Sequence, residues 1–354
     1  MTRVDIATLT RFGADVLTAL DVPNADAALV SDSLVTADMW GHPSHGMLRL
    51  PWYVARLQSG VMQAVTDTEL VVDLGAVAVM DGREGIGQVI THQACEETLR
   101  RAGQFGIAAV AVRNSNHFGT AAYWTRQMAS QGYVGILTTN GSPAMAPWGG
   151  RERKTVGANP WSIATPGPNG SPVVLDIANT GVARGKIYAA AERGEQIPDH
   201  WAIDAAGMPT ADPRAAIEGL LAPMAGHKGY GISFMMDVLS GVLTGSSYGA
   251  DVVGPYVPDR RSGCGHLVVA LDVAALMPTD EFDSRLGDLI ATTKAVPRAK
   301  GVDEIFVPGE IETNAEHAAL DAGTVSLPDK TLTDLRQLGQ SVGVDFLAAE
   351  GAPI

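Results

Sequence analysis

The residues best suited to chemistry lie in one short stretch, residues 41–49, which holds a hydroxyl, two imidazoles and a guanidinium. His45 carries a side chain that can give and take a proton near pH 7, and the neighbouring Ser44 can orient it by a hydrogen bond. Arg49 can bind a carboxylate through two parallel N–H bonds. These three side chains suit protonation of a carbonyl or imine beside a carboxylate. The alternative is an exposed turn with a surface arginine.

Two helices are predicted to hold this stretch. Apolar residues recur at helical spacing before it, at Ala27, Val30, Leu34 and Ala37. Gly41 and Pro43 should end this helix, because glycine tolerates left-handed backbone and proline cannot continue the hydrogen-bond ladder. A second helix can begin at Pro51 and end before Gly60. A loop fixed between two helices would hold its polar side chains in defined directions.

The rest of the chain alternates between strand and helix patterns, so the predicted class is α/β or α+β. Strands are expected in two runs within 69–80 and at 107–112, 134–139, 161–165, 172–177 and 266–272. Helices are expected at 5–20, 24–40, 86–102, up to residue 131, at 182–193, 226–243 and 280–295, and twice near the end. Residues 140–159 should form a long loop, and 194–228 an irregular segment. We predict a helical lobe from residues 1–74 with 301–354, and a sheet domain from 75–300.

Composition restricts the partners. The chain has 354 residues and a formal net charge of −14. Nucleic acid and anionic membranes demand a basic surface, so neither is expected, although a small anionic substrate is compatible with a few local cations. The two cysteines form no C-x-x-C pair, no signal-peptide pattern is visible, and no window approaches 18 apolar residues. We therefore expect a cytoplasmic protein.

Phosphate-binding motifs of the usual kinds are missing from the sequence. No G-x-G-x-x-G and no Walker A pattern occurs, so a dinucleotide would have to bind to another backbone. Residues 226–231, Gly-His-Lys-Gly-Tyr-Gly, are one candidate, because they open a helix whose free N–H groups attract phosphate. Lys228 would add a positive charge. The alternative is a glycine-rich turn with a solvated lysine.

Two hydrolase hypotheses are weaker. Residues 245–249 match G-x-S-x-G, but a helix precedes them where the nucleophile elbow needs a strand. His42, His45 and His117 could bind a metal, yet Pro43 separates the first two and no carboxylate partner is close in sequence. The histidines at 92, 200, 266 and 317 are taken as structural.

A set of motifs in fixed order resembles one known family. They are Ser44-His45-Gly46 with Arg49, Asn116 to Gly119, Ala146 to Gly150, Gly157 to Pro160, Asp176 to Ala178, Lys228 to Gly231, and Pro308 to Glu310. The chain is similar, from about residue 10 to 345, to the second type of malate/L-lactate dehydrogenase. This family also includes ureidoglycolate, sulfolactate and diketogulonate oxidoreductases and the piperideine-carboxylate reductases.

The resemblance implies a fold, a reaction and roles for the central residues. It implies a non-Rossmann fold with a mixed, largely antiparallel central sheet for NAD or NADP, a helical lobe formed by both chain ends, and a homodimer. By match of motif, His45 is the expected proton donor or acceptor, with Ser44 as its partner, and Arg49 the expected clamp for the substrate carboxylate. His117 holds a catalytic role in some members and a cofactor role in others, and both stay open here.

The resemblance also implies a set of cofactor contacts. They are His117, Phe118, Gly119, Asn140, Ser142, Asp176, Ile177, Ala178, His227, Lys228, Pro308, Gly309 and Glu310. Ala158 should border the substrate, where family members commonly have a threonine, so this pocket lacks a hydroxyl.

We therefore expect hydride transfer to or from the α-carbon of a small 2-hydroxy or 2-oxo acid. The alternative is NADPH-dependent reduction of a cyclic imino acid, piperideine- or pyrroline-2-carboxylate. A metal-dependent hydrolase using His42, His45 and His117 is the third hypothesis, and NAD and NADP are not distinguished.

Overall fold

A computed structural model describes residues 1–346. Its helices are α1 (Ile6–Thr18), α2 (Asn24–Met39), α3 (Leu50–Ser59), α4 (Gly87–Phe105), α5 (Ala121–Ser130), α6 (Arg184–Arg193), α7 (Pro213–Glu218), α8 (His227–Asp237), α9 (Val273–Leu276), α10 (Thr279–Lys294), α11 (Glu310–Ala322) and α12 (Asp329–Val342). Its strands are β1 (Thr2–Asp5), β2 (Glu69–Asp73), β3 (Val77–Asp81), β4 (Ile107–Ser115), β5 (Tyr133–Thr139), β6 (Pro143–Met145), β7 (Val156–Gly157), β8 (Trp161–Thr165), β9 (Val173–Ile177), β10 (Ala202–Ile203), β11 (Leu220–Leu221), β12 (Cys264–Asp272) and β13 (Thr324–Leu327).

A seven-stranded sheet, in the order β2-β3-β4-β12-β5-β8-β9, forms the centre of the molecule. Only β3 and β4 pair in parallel, and every other neighbouring pair is antiparallel. Helices α4 and α5 cover the sheet, and their apolar faces share one core with the strands, as Ala94, Trp124 and Val268 illustrate. The predicted mixed, largely antiparallel, non-Rossmann sheet is thus confirmed.

The two ends of the chain share a second hydrophobic core. Leu9 and Leu34 from α1 and α2 are fully buried with Leu332 and Leu335 from α12. Both chain ends therefore contribute to one core, while the division into a helical lobe and a sheet domain stays a prediction and residues 347–354 lie outside the described part. Strand β1 pairs with β13 inside this lobe. The sequence analysis missed this pair, because four-residue strands show too little alternation to stand out.

A third, smaller core was not predicted. It joins the loop after β5 to the segment around α6, α7 and β11, through residues such as Met145, Ile187 and Leu221. The expected irregular segment 194–228 contains α7 and the β10–β11 pair, and the long loop 140–159 contains the β6–β7 pair. Strands of two or three residues are too short for a periodic pattern, so this prediction was incomplete.

Two helix ends also differ from the prediction. Helix α4 continues through Gly103 to Phe105, because packing against the sheet outweighs the small helix-forming cost of one glycine. The predicted helix 226–243 is α-helical only to Asp237 and then forms a π turn over Val238–Val242. Among the described helices, none combines the length and apolarity that a membrane crossing would need.

Asn140 ties three separate parts of the sheet domain together. Its side-chain amide donates to the Asp237 carboxylate at 2.9 Å and to the Ser247 carbonyl at 2.8 Å. Its side-chain oxygen accepts from the Gly265 N–H at 3.0 Å. The residue is buried, so each lost bond would leave a desolvated polar group without a partner.

We predict that Asn140→Ala lowers the free energy of unfolding by about 2–4 kcal/mol, because three buried hydrogen bonds disappear together. Urea denaturation measures this. Asn314→Ala is the control: Asn314 is exposed on α11, so its removal should change stability by no more than about 0.5 kcal/mol. Equal effects of the two substitutions would contradict the bridging role of Asn140.

Candidate active site

The stretch that carries His45 forms two consecutive 3₁₀ turns, Pro43–His45 and Met47–Arg49, between α2 and α3. Gly46 lies between these turns, pressed against the Asp38 side chain, where a Cβ atom would overlap the carboxylate. The same carboxylate accepts the Met47 N–H at 2.8 Å. Burial raises the pKa of Asp38 to about 7. The second turn is therefore fixed to α2 by contacts inside the helical lobe.

The structure brings His45 against His117. His117 comes from the loop between β4 and α5, and the two rings stack with centroids 5.5 Å apart and planes 21° apart. The Ser44 hydroxyl lies 2.9 Å from His45 Nδ1, and the Tyr53 hydroxyl lies 2.7 Å from His117 Nδ1. Within the described part of the chain, the Nε2 atom of either ring has no hydrogen-bond partner. Both rings therefore keep one nitrogen for a ligand.

Both imidazoles are held in the neutral form. Burial, the charge of Arg49 and the nearby His42 lower the pKa of His45 to about 3. Burial, His45 and Arg49 hold the pKa of His117 well below its usual value. Both side chains are half-buried by surface, so part of each ring remains exposed. At neutral pH the free site therefore presents two uncharged rings beside one positive charge.

Arg49 supplies that charge. Its Nε donates to the Ser44 carbonyl at 2.5 Å, and its guanidinium lies 4.1 Å from the Trp52 ring centroid. No other residue in the described range forms a hydrogen bond or ion pair with its two terminal nitrogens. The side chain is fixed at its base, and its outer edge is free to bind a carboxylate in a bidentate manner.

Several site residues were missed by the sequence analysis. Tyr53 and Arg56 follow Arg49 at i+4 and i+7, so they share its face of α3, a signal that the spacing could have provided. Arg56 is 1% exposed and donates to Asn116 of the β4–α5 loop at 3.0 Å. Tyr256 meets Trp52 edge to face at 5.8 Å, and no local pattern could have predicted this long-range contact.

Three predicted cofactor contacts line one cavity of about 200 Å³: Asp176, Pro308 and Gly309. The Asp176 carboxylate accepts the Ala122 N–H at 2.8 Å, at the start of α5. Enclosure in the cavity raises the pKa of Asp176 to about 6, with the backbone hydrogen bond opposing this shift. His42 also lines the cavity, where it faces Glu312 at 3.4 Å.

The other predicted cofactor contacts lie elsewhere. Glu310 is engaged by Lys294 and by the Val307 N–H, so its carboxylate holds the turn together. The side chains of Phe118 and Asn140 belong to the interior, the first packed on His266 at 4.7 Å, so neither is available to a ligand. His227 and Lys228 are exposed at the start of α8.

The remaining predicted contacts fall into three places. Gly119 donates its N–H to His117 Nδ1 at 3.3 Å. Ser142 lies beside Gly254 in the segment that carries Tyr256. Ile177 and Ala178 follow Asp176, and the carbonyl of Ala158, the expected substrate neighbour, accepts the Asn179 N–H at 3.0 Å.

The metal-hydrolase hypothesis lacks a ligand set. Among the residues that the structure describes, no group of three or more His, Cys, Asp or Glu side chains is arranged to hold a metal ion. His42 lines the cavity with Glu312, whereas His45 and His117 stack on each other outside its lining. The three histidines thus do not form one centre.

Comparisons with known proteins agree on one family. The chain matches malate/L-lactate dehydrogenase over residues 4–336. It is 37% identical to L-sulfolactate dehydrogenase of Methanocaldococcus jannaschii over 94% of this chain and 95% of that protein. It is 35% identical to malate dehydrogenase of Pyrococcus abyssi, over 95% of this chain and 94% of that protein.

Solved structures give the same result. Sulfolactate dehydrogenase from Methanocaldococcus jannaschii superposes with a TM-score of 0.92 at 35% identity, covering 98% of both chains. Delta1-piperideine-2-carboxylate reductase from Pseudomonas syringae superposes with a TM-score of 0.84 at 25% identity, covering 96% of this chain and 100% of that one.

Fold, site and relatives together define an oxidoreductase of the dehydrogenase class, which acts on the CH–OH group of hydroxy acids. The chain belongs to the malate/L-lactate dehydrogenase family. The resemblance drawn from the motifs is thereby confirmed. The missing G-x-G-x-x-G motif also has its explanation, because the central sheet is not the parallel, doubly wound sheet that this motif serves.

We predict that His45 stays uncharged between pH 5 and pH 8 in the free protein, because its lowered pKa lies below that range. The ring proton shifts of His45, assigned with His45→Gln, should therefore stay constant across this range in an NMR titration. Oxamate carries a carboxylate that would neutralise the charge of Arg49, so oxamate should raise the pH at which His45 is half protonated. A midpoint between pH 5 and pH 8 without ligand would contradict the neutral site.

Proposed function

We propose that this protein transfers a hydride reversibly between NAD or NADP and the α-carbon of a small 2-hydroxy or 2-oxo acid. One observation carries the proposal: His45 and His117 stack beside Arg49, whose terminal nitrogens have no partner within the described residues. This arrangement supports the proposal, because a 2-hydroxy acid needs a proton-transfer group and a carboxylate-binding cation close together.

The site and the relatives both support a substrate class. Arg49 offers one bidentate site for the carboxylate next to the reacting carbon. The relatives are named for sulfolactate and malate, two small 2-hydroxy acids that each carry a second acid group. We propose that this chain acts on an acid of the same kind.

The structure contains residues that suit a dinucleotide. Asp176, Pro308 and Gly309 line one cavity, and a carboxylate is the group that commonly accepts ribose hydroxyls. The Thr120 hydroxyl, at the start of α5, is buried without a partner in the described structure, so it has a hydrogen bond to offer. A relative from Chromohalobacter salexigens is named as NADP(+)-dependent, which supports a nicotinamide cofactor in general.

The chemistry divides between the cofactor and the chain. When bound, a nicotinamide would take up or release the hydride at the α-carbon. Arg49 would fix the carboxylate, so that the α-carbon and its oxygen lie in one orientation. Neutral His45 has a lone pair that can accept the hydroxyl proton during oxidation. A bound carboxylate would offset the charge of Arg49 and so raise the pKa of His45, which favours proton return during reduction.

We also propose a homodimer. Helix α8 and its π turn expose apolar side chains along one segment: Phe234, Met235, Val242 and Leu243. Their exposed fractions range from 49% to 62%. Exposed apolar side chains on one segment are typical of protein interfaces, and a second copy of the chain is the partner that the family resemblance implies.

The proposed reaction predicts loss of reduced-nicotinamide absorbance with at least one 2-oxo acid. The panel comprises oxaloacetate, sulfopyruvate, pyruvate and piperideine-2-carboxylate, each with NADH and with NADPH. Turnover of a 2-oxo acid supports the proposal. Turnover restricted to the cyclic imine would replace it with the imine-reductase alternative, and no turnover of any substrate would contradict both.

A second prediction concerns His45. His45→Ala should lower kcat by about 10²–10⁴-fold, because a positioned acid–base group contributes that much to proton transfer. Steady-state kinetics with the best substrate of the panel measures it. His200→Ala is the control: this histidine has an exposed side chain and should leave the rate unchanged. A near-normal rate for His45→Ala would refute the assigned role.

A further inference from the structure

Tyr53 is a buried tyrosine whose hydroxyl contacts the His117 imidazole. It lies on α3 four residues after Arg49, is 2% exposed, and its hydroxyl lies 2.7 Å from His117 Nδ1. Burial raises the pKa of Tyr53 above its usual value, with Arg49 opposing the shift, so the hydroxyl keeps its proton. Tyr53 can therefore donate to the ring at any working pH.

A second contact fixes the direction of that bond. The Gly119 N–H also points at His117 Nδ1, at 3.3 Å. A backbone amide can only donate, so Nδ1 must carry the lone pair, and the Tyr53 hydroxyl then donates as well. The single proton of the neutral ring must be on Nε2. His117 is thus held in one tautomer by two donors.

Gln88 lies behind the Tyr53 hydroxyl. It is fully buried in the first turn of α4, and its amide lowers the pKa of Tyr53, yet neither of its polar atoms reaches hydrogen-bond geometry in the described structure. The start of α4 packs tightly on this loop, because a Cβ on Gly87 would overlap the His117 carbonyl oxygen. The enclosed Gln88 amide can turn its N–H group toward the Tyr53 oxygen. That oxygen then accepts from Gln88, and the Tyr53 O–H donates to His117.

His45 differs in the partner of its Nδ1. That partner is the Ser44 hydroxyl, at 2.9 Å, which can either donate or accept. Both neutral tautomers of His45 therefore keep a hydrogen bond. In both rings the Nε2 atom has no partner among the described residues. Only in His45 can this atom carry a lone pair.

We propose that Tyr53 is a positioning residue that keeps the proton of His117 on Nε2, so that His117 only donates a hydrogen bond and His45 alone exchanges a proton with substrate. This inference rests on the proposed function. In reduction the α-carbon would gain a hydride from the reduced nicotinamide, and its oxygen would gain a proton from His45 in its protonated form, which the bound carboxylate favours. His117 Nε2–H would polarise the same oxygen. The proton on His45 is then replaced from solvent.

The tautomer itself is the first test. Long-range ¹H–¹⁵N spectra of the whole protein at pH 7, assigned with His117→Gln, distinguish Nε2–H from Nδ1–H and from imidazolium. The inference expects Nε2–H for His117. An Nδ1–H or charged ring would overturn it. This measurement needs no substrate and no variant of Tyr53.

Kinetics of Tyr53→Phe provide the second test. We expect kcat for the 2-oxo acid to fall roughly tenfold, with KM for the reduced cofactor unchanged. A fraction of His117 should then show an Nδ1–H signal, because the 2.7 Å donor is lost and only the longer Gly119 contact, at 3.3 Å, still opposes that tautomer. Tyr123→Phe is the matched control, because it removes another buried hydroxyl, one that donates to Asp32. A Tyr53→Phe variant that keeps both rate and tautomer would refute the role of Tyr53.

The two proposals fail separately. If the spectra show Nε2–H but no substrate of the panel reacts, the proposed function fails and the tautomer assignment stands. If the enzyme turns over a 2-oxo acid but His117 carries its proton on Nδ1, this inference fails and the reaction stands. If Tyr53→Phe does not fold, the spectra of the native protein decide the matter alone.

Discussion

One uncompensated positive charge governs the site. The outer edge of Arg49 has no acidic partner in the described residues, and its charge helps to keep His45 and His117 neutral. A partly enclosed cation without a counter-ion is energetically costly, and a carboxylate ligand relieves that cost. In the proposed reaction the same charge would attract the substrate carboxylate, and it adds to burial in keeping both rings neutral. Binding of the carboxylate would offset that charge and so link recognition to proton transfer.

The charge is useful only because separate segments of the chain hold the site together. Arg49 directly precedes α3, and Tyr53 and Arg56 on that helix contact the β4–α5 loop. Arg56 is buried and donates to Asn116 next to His117, while the Val257 carbonyl also accepts from it, at 2.5 Å. These buried polar bonds fix α3 against the β4–α5 loop and the segment at Val257, next to His117. The geometry of the site therefore depends on how distant segments pack together.

Local sequence patterns predicted most of the regular structure. Helical spacing gave α1, α2 and α3 to within a few residues, and the apolar runs gave β4, β5, β8 and β12. Sequence patterns did not predict the elements that are short or held in place by distant partners. Strands β1 and β13 have four residues each and exist because they pair across the chain ends. The sequence analysis missed the structural role of Asn140 for the same reason. Its side chain bridges three segments, and its neighbours in sequence do not reveal these contacts.

By itself, the sequence determined which chemical groups are present and roughly where each helix and strand lies. Ser44, His45 and Arg49 are neighbours on one bend, so their proximity needs no tertiary structure. Only the fold decided that His117 stacks on His45, that Tyr53 sets the donor pattern of that ring, and that Trp52 meets Tyr256. Local spacing is set by backbone geometry over a few residues, whereas these contacts depend on how separate segments pack their buried surfaces. Burial, and with it the neutral state of both imidazoles, arises only from that packing.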